Sequence, residues 1–284
     1  LDADRRREEA AKTEVREVSE TIGDRWAQGD AYEAYMGRWS RVVAREFLAW
    51  LAPEPAGHWL EVGCGAGALT SSVCSLAEPA TVLATDRSAS FVEYARTVVE
   101  DPRVSYVAAP AEALPTRAGG FDVIVSGLVL NFIAEPAAAL RAMRERVRPG
   151  GVVAAFVWDY LGGVEFLAHF WAEAVASEPG AATLDEARRF EAWTLSHLTS
   201  LFAEAEFAGV ESAALTVPTG FAGFDDYWGP FLGGAGPAPT YVASLTEARR
   251  DSLRERLRAR LKSAGDGSIS LRARALAVRG AAPE

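Results

Sequence analysis

Apolar and polar positions along the chain follow two rhythms. Between residues 24 and 52, Tyr32, Tyr35, Met36, Trp39, Val42, Val43, Phe47, Leu48 and Leu51 recur at spacings of three and four, predicting an amphipathic helix that Pro53 and Pro55 end. Short apolar runs then alternate with helical stretches. Residues 59–62, 81–85, 104–109, 121–126 and 151–158 read as strands, and 68–76, 88–100 and 136–147 as the helices between them. Buried strands joined by helices predict a parallel sheet covered on both faces. After 158 the rhythm changes. Stretches 162–176 and 183–193 look helical, 196–208 reads as a crossover helix, and 210–217 as a strand. Residues 219–240 are aromatic and rich in Gly and Pro; a charged helix (245–262) and a last strand (269–278) follow.

The expected organisation is an N-terminal helical part of a lid (1–57), a core (58–160), a helical insertion over the substrate (161–195), and the rest of the core with an aromatic lid segment at 219–244 (196–284). Residues 1–22, rich in Arg, Glu and Ala, read as a solvated helix that orders on ligand binding.

The chemistry starts at His58-Trp-Leu-Glu-Val-Gly-Cys-Gly-Ala-Gly67, where the first strand ends in three glycines at every second position. Glycine takes positive φ and admits a ligand that a Cβ atom would block. The third glycine comes one residue too early for the dinucleotide fingerprint. Glu61, just inside the strand end, suits a cationic group better than a phosphate. A ligand carrying an ammonium or sulfonium is therefore favoured over a dinucleotide.

Composition narrows the field. Hydrophobic residues make up 49% of 284, enough for a sizeable core. A net charge of -10 argues against a nucleic-acid partner, which needs clustered Lys and Arg. Cys64 and Cys74 are the only cysteines, too few for a disulfide framework or a zinc site, and are expected to be reduced. No run is long enough to span a membrane and no signal-peptide core stands at the N-terminus, so a cytoplasmic location is expected. The chain starts at Leu1 rather than Met, and native residues are expected to precede it.

With these elements in order, the chain resembles class I S-adenosylmethionine-dependent methyltransferases, most closely the group that includes ubiquinone/menaquinone C-methyltransferases. The resemblance is strongest over residues 58–160. It rests on Glu61 to Gly67, on Thr85-Asp86-Arg87-Ser88, on Ala111-Glu112-Ala113-Leu114-Pro115, and on Phe121 to Asn131 followed by Arg148-Pro149-Gly150-Gly151. It implies a Rossmann-like α/β fold whose seven-stranded, mostly parallel sheet has its last strand antiparallel. It also implies S-adenosylmethionine as cofactor, and a site at the carboxyl ends of the first four strands.

On that reading Glu61, Gly63, Cys64, Gly65 and Gly67 pass close to the methionine part of the cofactor. Asp86 accepts the ribose hydroxyls, Arg87, Ala111 and Glu112 border the adenine, and Ser126 meets the ammonium. Pro110 stands where relatives carry Asp or Asn, which leaves adenine recognition to backbone and packing. Asp86 as a strand-end cap remains an open alternative.

Methyl transfer is an in-line displacement in which a sulfonium loses its charge, so alignment and water exclusion matter most, and no metal is called for. An acceptor that must lose a proton wants a base. His169, four residues after Glu165, Asp159 after the fifth strand and Asn131 are the catalytic candidates, each with a purely structural alternative. Tyr35, Trp39, Phe166, Phe170, Trp171, Tyr227 and Trp228 are expected to hold a planar or apolar small-molecule acceptor. A homodimer stays open. So does a second reading, in which the bound cofactor assists a cyclisation or rearrangement without giving up its methyl.

Overall fold

A computed structural model describes residues 33–233 and 236–284. The expected helix at 1–22, the beginning of the 24–52 helix, and Tyr32 lie outside the described residues.

The strands are β1 (His58–Val62), β2 (Thr81–Asp86), β3 (Val104–Ala108), β4 (Phe121–Gly127), β5 (Val147–Trp158), β6 (Ala208–Phe221) and β7 (Ile269–Ala281). They form one sheet in the order β3-β2-β1-β4-β5-β7-β6. The first five are parallel, and β7 runs antiparallel between β5 and β6. Order reverses between β1 and β4, which is where an open α/β sheet leaves a crevice at its carboxyl edge.

The helices are α1 (Arg38–Leu51), preceded by a π-turn at Glu33–Gly37, then α2 (Ala68–Leu76), α3 (Ala89–Val98), α4 (Pro136–Arg146), α5 (Glu165–Ser177), α6 (Glu186–Arg189), α7 (Leu195–Glu204), α8 (Phe224–Trp228), α9 (Pro237–Ser244) and α10 (Glu247–Arg260). Val43, Phe47, Leu69, Val73 and Phe156 share a core on one sheet face. Leu60, Ile124, Leu140, Met143, Leu198 and Phe202 fill the other. None of the described helices is long and apolar enough to cross a membrane.

Three expectations are corrected. The 183–193 stretch is not one helix. Asp185 accepts from the Ala187 amide and opens α6, which stops after one turn. Phe190 then turns inward, its ring 5.0 Å from Tyr160 and 5.1 Å from Phe132. The 219–240 stretch is also more regular than its Gly and Pro content implied. Residues 219–221 prolong β6, paired with β7 out to Phe221↔Ile269, and short helices follow. Strand β5 likewise begins earlier than expected. Phe121 pairs with Val147 and Val123 with Val152, so the Arg148–Gly151 turn is a bulge inside the strand.

Candidate functional site

The turn after β1 is tied to the end of β2. The amides of Gly63 and Cys64 both donate to the Thr85 carbonyl, at 2.7 and 2.8 Å. The Gly65 amide donates to Asp86 Oδ2 at 3.0 Å, and Asp86 Oδ1 accepts from the Ser88 amide at 2.8 Å. Asp86 thus also forms the turn that opens α3, where Ser88 is the N-cap. Its carboxyl is raised above the ordinary Asp value, chiefly by burial, with the two amides opposing.

The three glycines do different things. A Cβ at Gly63 would lie 2.6 Å from the methyls of Val129, and one at Gly67 would lie 3.0 Å from Val99. These two make room for protein. Gly65, at φ +49°, would place a Cβ with nothing within 4 Å. Of the three, it alone faces open space.

That space is a narrow cleft of about 60 Å³, bordered by Ser40 of α1, Glu61, Gly65, Leu69, Leu128 and Phe156. Glu61 is 1% exposed, and Thr70 Oγ1 donates to its carboxylate at 2.6 Å. Burial pushes its carboxyl up to about 7; Asp86 adds to the rise and Thr70 opposes it. A buried acid whose hydrogen-bond partner is a neutral hydroxyl is a socket for a cation.

Two more polar groups at this edge of the sheet lack partners. Ser126 in β4 is fully buried with its hydroxyl unbonded, and Asn131, in the turn just after β4, has both amide atoms unbonded. Neither borders the cleft. Arg87 and Glu112 are exposed, Ala111 is half-buried, and Cys64 is a buried free thiol that burial pushes upward.

An ammonium against Glu61, a diol against Asp86 and an open Gly65 between them fit S-adenosylmethionine in chemistry. In size the cleft falls short of the ~300–1,000 Å³ usual for small-molecule sites.

The expected bases are corrected. Asp159 is clamped by Arg274 of β7, with Nε at 2.6 Å, and also accepts the Leu161 amide at 3.2 Å. It holds the loop after β5. His169 is half-buried on the side of α5 that meets α10, where Nδ1 accepts from Arg260 Nε at 3.0 Å. Burial first, then Arg260, lowers its pKa. Glu165 does not orient it; its carboxylate accepts the Arg272 amide.

The expected acceptor aromatics form a core. Tyr35, Trp39, Phe166, Phe170, Trp171, Tyr227 and Trp228 are all buried. Phe170 stacks on Phe231 at 4.5 Å, and Tyr35 meets Phe231 edge-on at 5.6 Å. Trp171 borders an open space, a cavity of about 460 Å³ between α5 and residues 185–188. Glu186, 4% exposed, lines that cavity and accepts a hydrogen bond from Trp171 Nε1. Sequence reading missed it. A lone Glu in a charged turn carries no signal until the fold buries it.

Residues 60–155 match the methyltransferase domain family. A ubiquinone/menaquinone biosynthesis C-methyltransferase of Shewanella frigidimarina is 34% identical over 116 residues, 39% of this chain and 46% of that protein. A ubiquinone biosynthesis O-methyltransferase of Cereibacter sphaeroides is 32% identical over the same shares of the two chains. The chain thus spans less than half the length of these relatives. Among solved structures, phosphoethanolamine N-methyltransferase 2 of Haemonchus contortus, in complex with S-adenosyl-L-methionine, superposes with a TM-score of 0.55 at 16% identity. That match covers 94% of this chain and 59% of that one. The YcgJ protein of Bacillus subtilis gives 0.54 at 17%, covering 86% and 99%. The structural likenesses speak to fold alone: a seven-stranded, mostly parallel sheet flanked by helices.

Proposed function

We propose that this chain, whose residues 60–155 match the methyltransferase domain family, moves a methyl group from S-adenosylmethionine to a small molecule. The observation that carries the reading is the pairing of Asp86 with the Gly65 amide, 3.0 Å apart, beside the buried Glu61. It sets Glu61 and the unobstructed Gly65 beside the point where strand order reverses, with Asp86 at the end of the neighbouring strand β2.

In this reading Asp86 accepts the ribose hydroxyls through charge-assisted bonds, and Glu61 faces the ammonium of the methionine part. The bound cofactor supplies an activated methyl on a sulfonium. The protein aligns an acceptor behind that methyl and keeps water away, because charge is lost as the transition state forms. The acceptor atom (O, N or C) is not chosen by the cofactor cleft, and the curated relatives include both C- and O-methyltransferases.

Incubation with S-adenosylmethionine labelled in its methyl group, together with extracts fractionated by size, tests the reading. Label is expected in a small-molecule fraction, with S-adenosylhomocysteine formed in equal amount. Binding of the cofactor with no label leaving it would instead favour cyclisation or rearrangement; binding of NAD in its place would overturn both.

A further inference from the structure

Strand β3 forms one edge of the sheet and, among the described residues, pairs with β2 alone. The Val82 amide donates to the Arg103 carbonyl, and the Ala109 amide to that of Asp86. Backbone groups alternate in direction along a strand, so the odd-numbered residues of β3 face β2 and those of Val104, Tyr106 and Ala108 point outward. The Val104 amide is taken by the Asp101 carbonyl, and the Tyr106 carbonyl accepts from Arg96 at 3.5 Å. The amides of Tyr106 and Ala108 and the Ala108 carbonyl have no partner among the described residues.

The two edges of the sheet differ in how they are guarded. Strand β6, at the other end, carries a register break between Ala208 and Glu211, a proline at 218, and a charge pair of Glu211 with Arg279 at 2.7 Å. Each of these blunts an edge against a further strand. Strand β3 reads Val-Ser-Tyr-Val-Ala, unbroken in register and without proline or charge. Tyr106 turns toward α3, its hydroxyl donating to the Val99 carbonyl at 3.0 Å, so Val107 points to the opposite face. The described chain passes from β3 to β4 without a helix, and Val107 is 40% exposed. Beside the edge lies a groove of about 570 Å³, bordered by Arg96, Glu100, Ser105 and Tyr106.

We propose that β3 is a docking edge for a second copy of this chain, the two strands running antiparallel about a two-fold axis at Val107 and joining two sheets into one. That register suits the backbone. Tyr106 then faces Ala108 of the partner subunit, and such a pair exchanges both of its N–H···O=C bonds. Val104, whose amide is already used, falls opposite Pro110 of the partner subunit, which has no amide hydrogen to give. Val107 meets its own copy as a non-hydrogen-bonded pair, with Cα atoms ~4.5 Å apart, which covers its exposed methyls. The flanking charges are self-complementary. Glu93 and Arg96 on α3 are exposed and carry one charge of each sign, so a two-fold sets each toward its opposite. A five-residue strand is a short contact, and a dissociation constant on the order of micromolar is expected.

Sedimentation velocity of the full chain between about 1 and about 200 μM tests the edge, with a monomer–dimer equilibrium expected across that range. Val107→Lys puts a charge on the edge and should weaken the dimer at least tenfold. Ala214→Lys, at an exposed position of β6, should leave it within twofold of wild type. Register is read by oxidation. Val107→Cys should cross-link between copies, because equivalent Cα atoms at the axis lie within the ~4.4–6.8 Å that a disulfide spans. Ser105→Cys, ~14 Å from its equivalent, should not. Cys64 and Cys74 are buried, so wild-type protein should stay uncross-linked. Should Val107→Lys unfold, the two cysteine variants decide alone, since each changes little in size. A monomer at every concentration, a dimer that Val107→Lys leaves intact while folded, or cross-linking of Ser105→Cys in preference to Val107→Cys would each overturn the proposal.

Discussion

At the scale of single residues, the glycine turn shows how a motif is legible while its reasons are not. Three glycines at alternate positions read as room for a ligand, but Gly63 makes room for Val129 and Gly67 for Val99, and only Gly65 faces open space. Those close approaches come from chain segments over thirty residues away, which no local pattern encodes. Glu61 was legible as an acid suited to a cation because its place at the strand end sets its surroundings. Its raised carboxyl yields a prediction. Near pH 7 it is part protonated in the free protein, and an ammonium beside it stabilises the ionised form. Cofactor binding at pH 6.5 should therefore release protons, seen as a dependence of the calorimetric heat on buffer ionisation enthalpy. Glu61→Gln should abolish that dependence. Equal heats in all buffers for the wild type would show that no cation reaches Glu61.

The central strands β1, β4 and β5 were readable from rhythm alone, because a strand buried on both faces is a short apolar run and little else produces one. The additions after β5 were less so. The aromatics of α1, α5 and α8 were read as an acceptor pocket, whereas they fill their own core over the extended β6–β7 ribbon. Density of aromatic residues cannot separate a lined pocket from a packed one; that depends on whether partners such as Phe231 fill the centre. Phe231 stacks on Phe170 and also touches Tyr35 and Tyr227. Phe231→Ala should cost about 3–5 kcal/mol in urea unfolding. Arg38 ties α1 to α8 through Asp226 at 2.9 Å, with its guanidinium over Trp39 and Phe221. Because that pair is about a third exposed, Asp226→Asn should cost below about 1 kcal/mol. A larger loss for Asp226→Asn than for Phe231→Ala would reverse this ranking.

For the whole molecule, two buried acids oppose stability. Glu61 and Glu186 both have native values of about 7 against an ordinary 4.5, so the native state holds more protons than the unfolded state between those limits. Their protonated forms support the fold fully below pH 4.5, and that support is lost as pH rises to about 7. It amounts to on the order of 3 kcal/mol for each group. Unfolding free energies of the wild type should fall across this window relative to the Glu61→Gln/Glu186→Gln double variant, whose curve lacks that contribution. Parallel curves would mean that neither acid is buried as described.

Cofactor recognition turns on Asp86, held by the Gly65 amide, accepting the ribose hydroxyls of an adenosyl cofactor. Titration calorimetry of S-adenosylhomocysteine into wild type and Asp86→Ala tests it most directly. The account predicts saturable one-to-one binding by the wild type and a loss of at least tenfold in the variant, with far-ultraviolet circular dichroism unchanged. Equal affinity in the two proteins would contradict it.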